Sequence, residues 1–122
     1  MGACVAHKRV LIVDDVISAG TAIRETVALL GAESEGTATV VGVAVSLDRQ
    51  EIAVEGGSTE VLYRRSAIQQ VEADLGIRVV SIAKLSHLIG YVKAGWCEMK
   101  AEVAADLRTR IEEYRSAYGV LY

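Results

Sequence analysis

The sequence predicts an α/β domain built on an open parallel sheet of about three strands with flanking helices. Three segments rich in apolar residues, at 10–14, 40–47 and 77–82, alternate with segments of helical periodicity. Strands that are apolar on both faces are typical of parallel sheets, whose faces are covered by helices. At 122 residues with 52% hydrophobic residues, residues 1–122 form one domain with enough apolar side chains for a core.

The first apolar run, Val10 to Asp14, predicts a strand that is buried inside the sheet. A helix is expected from Thr21 to Leu30, because Ile23, Val27 and Leu30 fall on one face at helical spacing. Gly31 is expected to end that helix, since glycine readily adopts the left-handed conformation found after helix C-termini.

The rest of the chain continues the alternation. A capping box, Ser66 followed by Gln69, predicts the start of a helix that ends at Leu75 before Gly76. The polar segment 48–58 contains two adjacent glycines and predicts a mobile loop. The other expected elements are strands over 40–47 and 77–82 and helices over 85–93 and 98–118.

Polar residues follow each predicted strand. Asp14 and Asp15 end the first, Asp48 and Arg49 end the second, and Lys84 lies just past the third. Because ligands of open α/β sheets bind at the carboxyl ends of the strands, these side chains are expected at one ligand-binding edge.

The loop after the first strand has the composition of a phosphate site. Backbone N–H groups at a helix start attract an anion, Gly20 permits close approach, and Ser18 and Thr21 add hydroxyl donors. Asp14 and Asp15 would then accept hydrogen bonds from sugar hydroxyls or hold Mg²⁺ through water. In the alternative interpretation, Ser18 or Thr21 merely caps the helix and both aspartates are solvated.

These residues carry a family resemblance. The segment VLIVDDVISAGTAIRET at 10–26 resembles the phosphoribosyl-diphosphate (PRPP) binding motif of the type I phosphoribosyltransferases. SLDRQE at 46–51 and SAIQQVEADLGIRVVSIAKLSHLIGYV at 66–92 are similar to the orotate phosphoribosyltransferases within that family. The resemblance extends from about Gly2 to Val120 and implies a partial Rossmann-like phosphoribosyltransferase fold.

The resemblance implies an activity and a set of ligands. That family makes orotidine 5′-monophosphate from orotate and Mg²⁺·PRPP and releases diphosphate, usually as a cytoplasmic homodimer. By position, Asp14 and Asp15 would be the catalytic acids that bind the ribose hydroxyls, and Ser18 and Arg49 would contact orotate. Mg²⁺ would be bound through PRPP, with water bridging to the two acids. The implied PRPP-binding residues are Asp14, Asp15, Val16, Ile17, Ser18, Ala19, Gly20, Thr21 and Ala22.

Arg49 has a simpler interpretation as a surface arginine paired with Asp48. Its planar fork of donors nevertheless suits the carboxylate or carbonyl pair of orotate better than lysine would.

The chain departs from the family pattern in its first half. The N-terminal hood, the loop that grips diphosphate and the mobile loop with the catalytic lysine have no counterpart in this sequence. The chain is therefore expected to be a C-terminal portion that binds ribose 5-phosphate groups but turns over poorly. An open strand edge is expected to promote self-association.

Two other functions stay open at this point. A phosphoacceptor receiver domain also has paired acids after its first strand, an aspartate after a later one and a lysine after the last, which Asp14, Asp15, Asp48 and Lys84 imitate. A non-catalytic relative that senses PRPP or nucleotides would keep the same binding residues.

Composition excludes several partners. The net charge of −3, without a basic run, argues against a nucleic-acid partner. No apolar stretch reaches the roughly 18 residues of a membrane span, and the N-terminus lacks the long apolar core of a signal peptide. Cys4 and Cys97 fit no metal-ligand spacing and are expected to be reduced thiols of a cytosolic protein.

Overall fold

The computed structural model describes residues 2–17, 20–53, 65–95 and 99–120. The elements alternate as predicted, and α3 follows β3 without a break. In chain order they are β1 (Arg9–Val16), α1 (Thr21–Glu33), β2 (Thr39–Asp48), α2 (Ala67–Leu75), β3 (Val79–Lys84), α3 (Leu85–Lys93) and α4 (Ala101–Tyr118).

The three strands form one open parallel sheet in the order β1-β2-β3. Val13 of β1 is opposite Ala44 of β2, which is opposite Val80 of β3. The predicted α/β fold with an open parallel sheet is confirmed. Because the strands are parallel, their carboxyl ends meet at one edge.

Helices α1 and α2 cover one face of this sheet. The core cluster joins Ile12, Val43 and Val79 of the three strands to Ile23 of α1 and Val71 of α2. Right-handed crossovers between strands that follow one another in space place both helices on the same side. Each fully buried side chain of this kind stabilises the fold by about 1.5–3 kcal/mol.

Among the described residues, none forms a comparable cover on the other face of the sheet. Leu11 and Val13 of β1 are 54% and 75% exposed, and Ile82 of β3 is 84% exposed. The prediction that the first strand is buried inside the sheet was therefore wrong. Within the described residues β1 is an edge strand. Only one of its faces is buried, since both crossover helices lie on that side of the sheet.

The prediction that helix α1 ends at Gly31 was wrong. The helix continues to Glu33. A single glycine inside a helix costs only about 1 kcal/mol relative to alanine. The turn comes later, where Ser34 Oγ donates to Leu30 O at 2.6 Å and Gly36, at φ 78°, donates its N–H to Gly31 O at 2.8 Å.

The capping box of α2 is confirmed. Ser66 Oγ accepts from Gln69 N at 3.2 Å, and Gln69 Oε1 accepts from Ser66 N at 2.9 Å. Gly76, at φ 65°, follows the last helical residue as predicted. Two reciprocal bonds at a buried serine fix the point at which α2 begins.

Helices α3 and α4 contact each other beyond the end of β3. Lys93 Nζ lies 3.0 Å from Glu112 Oε1 across the two helices. β3 begins at Val79, two residues later than predicted, and the predicted start of α4 at 98 lies outside the described residues. Among the helices that the structure describes, none combines the length and apolar character that crossing a membrane requires.

Candidate functional site

The two aspartates at the end of β1 lie on opposite faces of the sheet. Asp14 shares the helix-covered face with Ile12, whereas Asp15 shares the open face with Val13, because side chains alternate along a strand. Asp14 Oδ1 accepts from Asp15 N at 2.9 Å, and Asp15 Oδ1 accepts from Val16 N at 2.7 Å. Each carboxylate is thus held by the next backbone amide.

The predicted phosphate loop begins after Ile17, which is buried. Ser18 and Ala19 lie outside the described residues, so the predicted roles of both remain predictions. Gly20, at φ 75°, is the N-cap of α1, and its carbonyl accepts from Arg24 N at 3.1 Å. Thr21 is already the first helical residue and does not cap the helix, so that alternative was wrong for Thr21.

The start of α1 presents backbone N–H donors. No side chain of the described residues is recorded as a cap of this helix end, and Thr21 and Ala22 are exposed. The N–H groups of the first helical turn have no intrahelical acceptors and carry the positive end of the helix dipole. A helix start of this kind, directly after two acids, can bind a phosphate while the acids meet neighbouring hydroxyls.

Helix α2 packs against the start of α1. A Cβ at position 20 would overlap Val71 Cγ2, so glycine is required there for packing as well as for its positive φ. Arg24 Nη2 donates to Asp74 Oδ2 at 2.7 Å, and Gln70 Nε2 donates to Asp74 Oδ1 at 2.7 Å. The hydrogen bond from Arg24 lowers the pKa of the Asp74 carboxyl.

The carboxyl end of β2 contributes a buried turn. Asp48 is 6% exposed, and its Oδ1 accepts from Gln50 N at 2.8 Å. Gln50 has φ 54° and is also buried, and its Oε1 accepts from Ser86 N at 2.8 Å. Asp48 therefore shapes the backbone around Arg49 and is not presented to solvent as a phosphoacceptor would be.

Arg49 pairs with Glu51 and not with Asp48, which corrects the simpler interpretation of that arginine. Its guanidinium donates from Nε to Glu51 Oε1 at 2.7 Å and from Nη2 to the same carboxylate. Nη2 also donates to Tyr114 Oη of α4 at 3.2 Å. Neither Glu51 nor Tyr114 was predicted from the sequence; alternation in an extended segment, which aligns residues two apart, could have indicated Glu51.

The segment after Arg49 is held by the start of α2 and by the end of α4 with the residues that follow it. Ala67 N donates to Glu51 O at 3.2 Å, Ile52 N donates to Tyr118 O at 2.8 Å, and Val120 N donates to Gln50 O at 2.9 Å. Residues 49–53 are thus fixed, contrary to the predicted mobile loop, while the glycine pair of that prediction lies outside the described residues.

The donor set at β1 fits a Mg²⁺ ion that arrives with its ligand. Asp14 and Asp15 offer hard carboxylate oxygens, and Asp15 is exposed. Within the described ranges, however, no group of three or more His, Cys, Asp or Glu side chains could hold an ion alone. Mg²⁺ commonly keeps several waters and takes its other ligands from substrate phosphates.

Sequence comparison identifies relatives of the chain, although a comparison with protein-family models gave no match. The orotate phosphoribosyltransferase of Nitrosococcus oceani is 48% identical over 112 residues, which cover 92% of this chain and 43% of that protein. The same enzyme of Stenotrophomonas maltophilia is 43% identical over 120 residues, covering 98% and 48%. The chain is related to the C-terminal portion of the orotate phosphoribosyltransferases. It spans about half the length of the curated relatives it matches.

A solved structure supports the same conclusion. The crystal structure of orotate phosphoribosyltransferase from Francisella tularensis superimposes with a TM-score of 0.67 at 30% sequence identity. The match covers 98% of this chain and 51% of that one. The predicted resemblance and the fold are confirmed, and relatives named orotate phosphoribosyltransferase favour the transferase over the receiver interpretation.

Proposed function

We propose that this chain carries the phosphoribosyl-binding part of an orotate phosphoribosyltransferase. It binds the ribose 5-phosphate group of PRPP and of orotidine 5′-monophosphate at the carboxyl end of β1. The observation that carries the proposal is the start of α1, which no described side chain caps and where Gly20 at φ 75° follows Asp14 and Asp15 within six residues. A phosphate is attracted by the amides of the first helical turn, which have no intrahelical acceptors, and the carboxylates accept from hydroxyls beside it.

The two ends of the ligand meet different groups. The 5′-phosphate accepts from the N–H groups of the loop 18–22, and the hydroxyl of Thr21 adds a donor at the exposed rim. The ribose hydroxyls donate to Asp14 and Asp15. Because these acids lie on opposite faces of the strand, the two carboxylates approach the ribose from different sides.

Arg49 is the proposed contact for orotate. Its described hydrogen bonds use Nε and Nη2, so the two donors of Nη1 remain to bind a carboxylate or carbonyl oxygen. Glu51 fixes the plane of the guanidinium, which makes the direction of those donors definite. Ser18 is proposed as a second orotate contact through its hydroxyl.

The chemical step requires positioning and charge stabilisation. As diphosphate leaves, C1 of the ribose becomes cation-like, and nearby carboxylates such as those of Asp14 and Asp15 stabilise that charge. Mg²⁺, when bound with PRPP, neutralises charge on the departing diphosphate. Half of the relatives' length lies outside the matched segment, so we expect this chain alone to bind ligands and to turn over poorly. A cytoplasmic location and a homodimer belong to the same proposal.

Calorimetric titration with orotidine 5′-monophosphate tests the binding site. The native chain should give saturable binding that the double variant Asp14→Asn/Asp15→Asn weakens at least tenfold. Asp106→Asn, on the exposed surface of α4, is the matched control and should bind like the native chain. Equal binding by native chain and double variant, or no binding by a folded native chain, contradicts the proposal.

The second measurement is diphosphate release from PRPP, Mg²⁺ and orotate. We expect ligand binding with little release from this chain alone. Release at a rate typical of enzymes, roughly 1 s⁻¹ or faster, would refute the poor-turnover part and leave the binding part standing. Binding of PRPP by a chain that binds neither orotate nor orotidine 5′-monophosphate would favour the regulatory alternative.

A further inference from the structure

The Arg49 guanidinium has a second support besides Glu51. Its Nη2 atom donates to the hydroxyl oxygen of Tyr114, which lies on α4 and 65 residues further along the chain, at 3.2 Å. Glu51 accepts from Nε and also from Nη2. Because a guanidinium carries its five N–H donors in one plane, these bonds engage Nε and Nη2 and leave the two donors of Nη1 for a ligand.

The ring of Tyr114 is held by its own helix. It contacts the ring of Tyr118, one turn further along α4, with the ring centroids 5.1 Å apart and the planes inclined at 47°. Aromatic rings at this separation attract each other beyond the effect of the area they bury. The hydroxyl of Tyr114 therefore meets Arg49 from a ring whose orientation does not depend on the arginine.

The end of α4 is tied to the segment that follows Arg49. Ile52 N donates to Tyr118 O at 2.8 Å, and Val120 N donates to Gln50 O at 2.9 Å. Both bonds join backbone atoms, so they fix the position of the helix relative to the backbone that carries the arginine. The hydroxyl acceptor and the guanidinium donor are thus brought together by two independent anchors.

The bond between Arg49 and Tyr114 affects direction more than stability. The two side chains are partly exposed, and a neutral acceptor at such a site adds little to the free energy of folding because water can replace it. The pair with Glu51 alone still lets the guanidinium plane swing about the line through the two carboxylate oxygens. A third contact, outside that carboxylate, opposes this swing and fixes where the donors of Nη1 point.

We infer that Tyr114 is a positioning residue that directs Arg49 toward the carboxylate of orotate and of orotidine 5′-monophosphate. The inference rests on the proposed function, in which Arg49 contacts that ligand. A guanidinium recognises a carboxylate through charge-assisted hydrogen bonds whose strength depends on alignment. Uridine 5′-monophosphate has the same ribose 5-phosphate but lacks the carboxylate. Tyr114 therefore contributes to the preference for the carboxylated nucleotide without touching the ligand.

Titration calorimetry with the two nucleotides provides the first test. Tyr114→Phe removes only the hydroxyl and should weaken binding of orotidine 5′-monophosphate about threefold, a loss typical of one hydrogen bond, with binding of uridine 5′-monophosphate unchanged. The ratio of the two affinities is the readout, because a general loss of structure would lower both. Tyr118→Phe keeps the ring pair and the backbone carbonyl and should leave the ratio unchanged. An unchanged ratio in Tyr114→Phe overturns the inference.

A double-variant comparison distinguishes positioning from direct contact. In the Arg49→Ala background, Tyr114→Phe should cause no further loss of affinity for orotidine 5′-monophosphate, because the hydroxyl acts only through the guanidinium. A further loss as large as that in the native background would mean that Tyr114 contacts the ligand itself. That result would overturn the positioning role.

Nitrogen-15 NMR of the arginine side chains tests the positioning without nucleotide. Rotation of the Arg49 guanidinium about its Nε–Cζ bond should be about twofold faster, or more, in Tyr114→Phe than in the native chain, and unchanged in Tyr118→Phe. Equal rates in native chain and Tyr114→Phe overturn the inference. If a folded native chain binds neither nucleotide, the proposed function fails, whereas the rotation rates still decide whether Tyr114 orients Arg49.

Discussion

Arg49 and Glu51 form a two-point pair, in which Arg49 Nε lies 2.7 Å from Glu51 Oε1 and Nη2 donates to the same carboxylate. Glu51 is the more buried partner, with a side chain that is 13% exposed, and its backbone is fixed by Ala67 N. The Glu51 carboxylate therefore holds the Arg49 guanidinium in place. The orientation of that guanidinium at the carboxyl end of β2 is fixed before any ligand binds.

Replacing Glu51 by glutamine should weaken orotidine 5′-monophosphate binding about three- to tenfold, because the guanidinium loses its fixed plane. It should also lower the free energy of unfolding by about 1 kcal/mol, a typical value for a charge-assisted hydrogen bond at a partly exposed site. Titration calorimetry and urea unfolding measure the two effects. Glu113→Gln, an exposed substitution in α4, is the control. Unchanged affinity in the Glu51 variant would mean that Arg49 does not contact the ligand through this geometry.

Gly20→Ala should destabilise the chain by about 1–3 kcal/mol, because the new methyl group overlaps Val71 Cγ2 and the positive φ is strained. Gly36→Ala is the matched control, since Gly36 has a similar φ of 78° with open space around it and isolates the cost of the backbone conformation. Urea unfolding of both variants gives the steric part by difference. Equal losses at the two positions would contradict tight packing of α2 against the loop.

Stability should decrease in acid partly through Asp74. The Arg24 guanidinium, helped by Gln70, holds the pKa of this carboxyl below its ordinary value of 3.8. A carboxyl with a lowered folded-state pKa stabilises the fold above the unfolded-state pKa, and this contribution is lost as pH falls from about 4 through the folded-state pKa.

The variant Asp74→Asn should show a shallower decrease of unfolding free energy below about pH 4 than the native chain. Asp106→Asn, whose carboxylate lies 3.9 Å from Arg110 on the exposed face of α4, is the matched control and should keep the native slope. Urea unfolding at pH 3 and pH 6 measures the difference. Parallel pH profiles for native chain and Asp74→Asn would exclude the proposed contribution.

Ser66→Ala should cost about 1–2 kcal/mol, because the capping box loses its acceptor for Gln69 N at a fully buried position. Ser116→Ala, an exposed serine within α4, should change stability by less than about 0.5 kcal/mol. Thermal unfolding followed by circular dichroism compares them. A Ser66 variant as stable as the Ser116 variant would show that the reciprocal bonds are not what fixes the start of α2.

Local signals predicted most of the fold. The capping box at Ser66 and the glycine at 76 placed α2 correctly, because caps depend on neighbouring residues. The exposed face of β1 could not be predicted in this way, since an apolar run shows that a strand can be buried but not which neighbours cover it. The end of α1 was also predicted wrongly, because a glycine such as Gly31 ends a helix only where the chain turns, and the turn here comes after Glu33.

The placement of the acids and the glycine of the first loop was predicted, whereas the ligands assigned to them stay a prediction. The acids and the glycine of the first loop are adjacent in sequence, so their arrangement around the start of α1 is local. The partners of Arg49 required tertiary structure, because Tyr114 is 65 residues away along the chain. Val71 likewise lies far from Gly20 in sequence, and only the packing of α2 on the loop brings them together.

The hydrogen bonds between residues 50–52 and the backbone of Tyr118 and Val120 mean that the last described residues help to fix the backbone beside Arg49. Val120 is buried, although it follows the last helix. A chain shortened to end at Gly119 would lose the bond from Val120 N to Gln50 O and the buried side chain of Val120, so the backbone beside Arg49 would be less constrained.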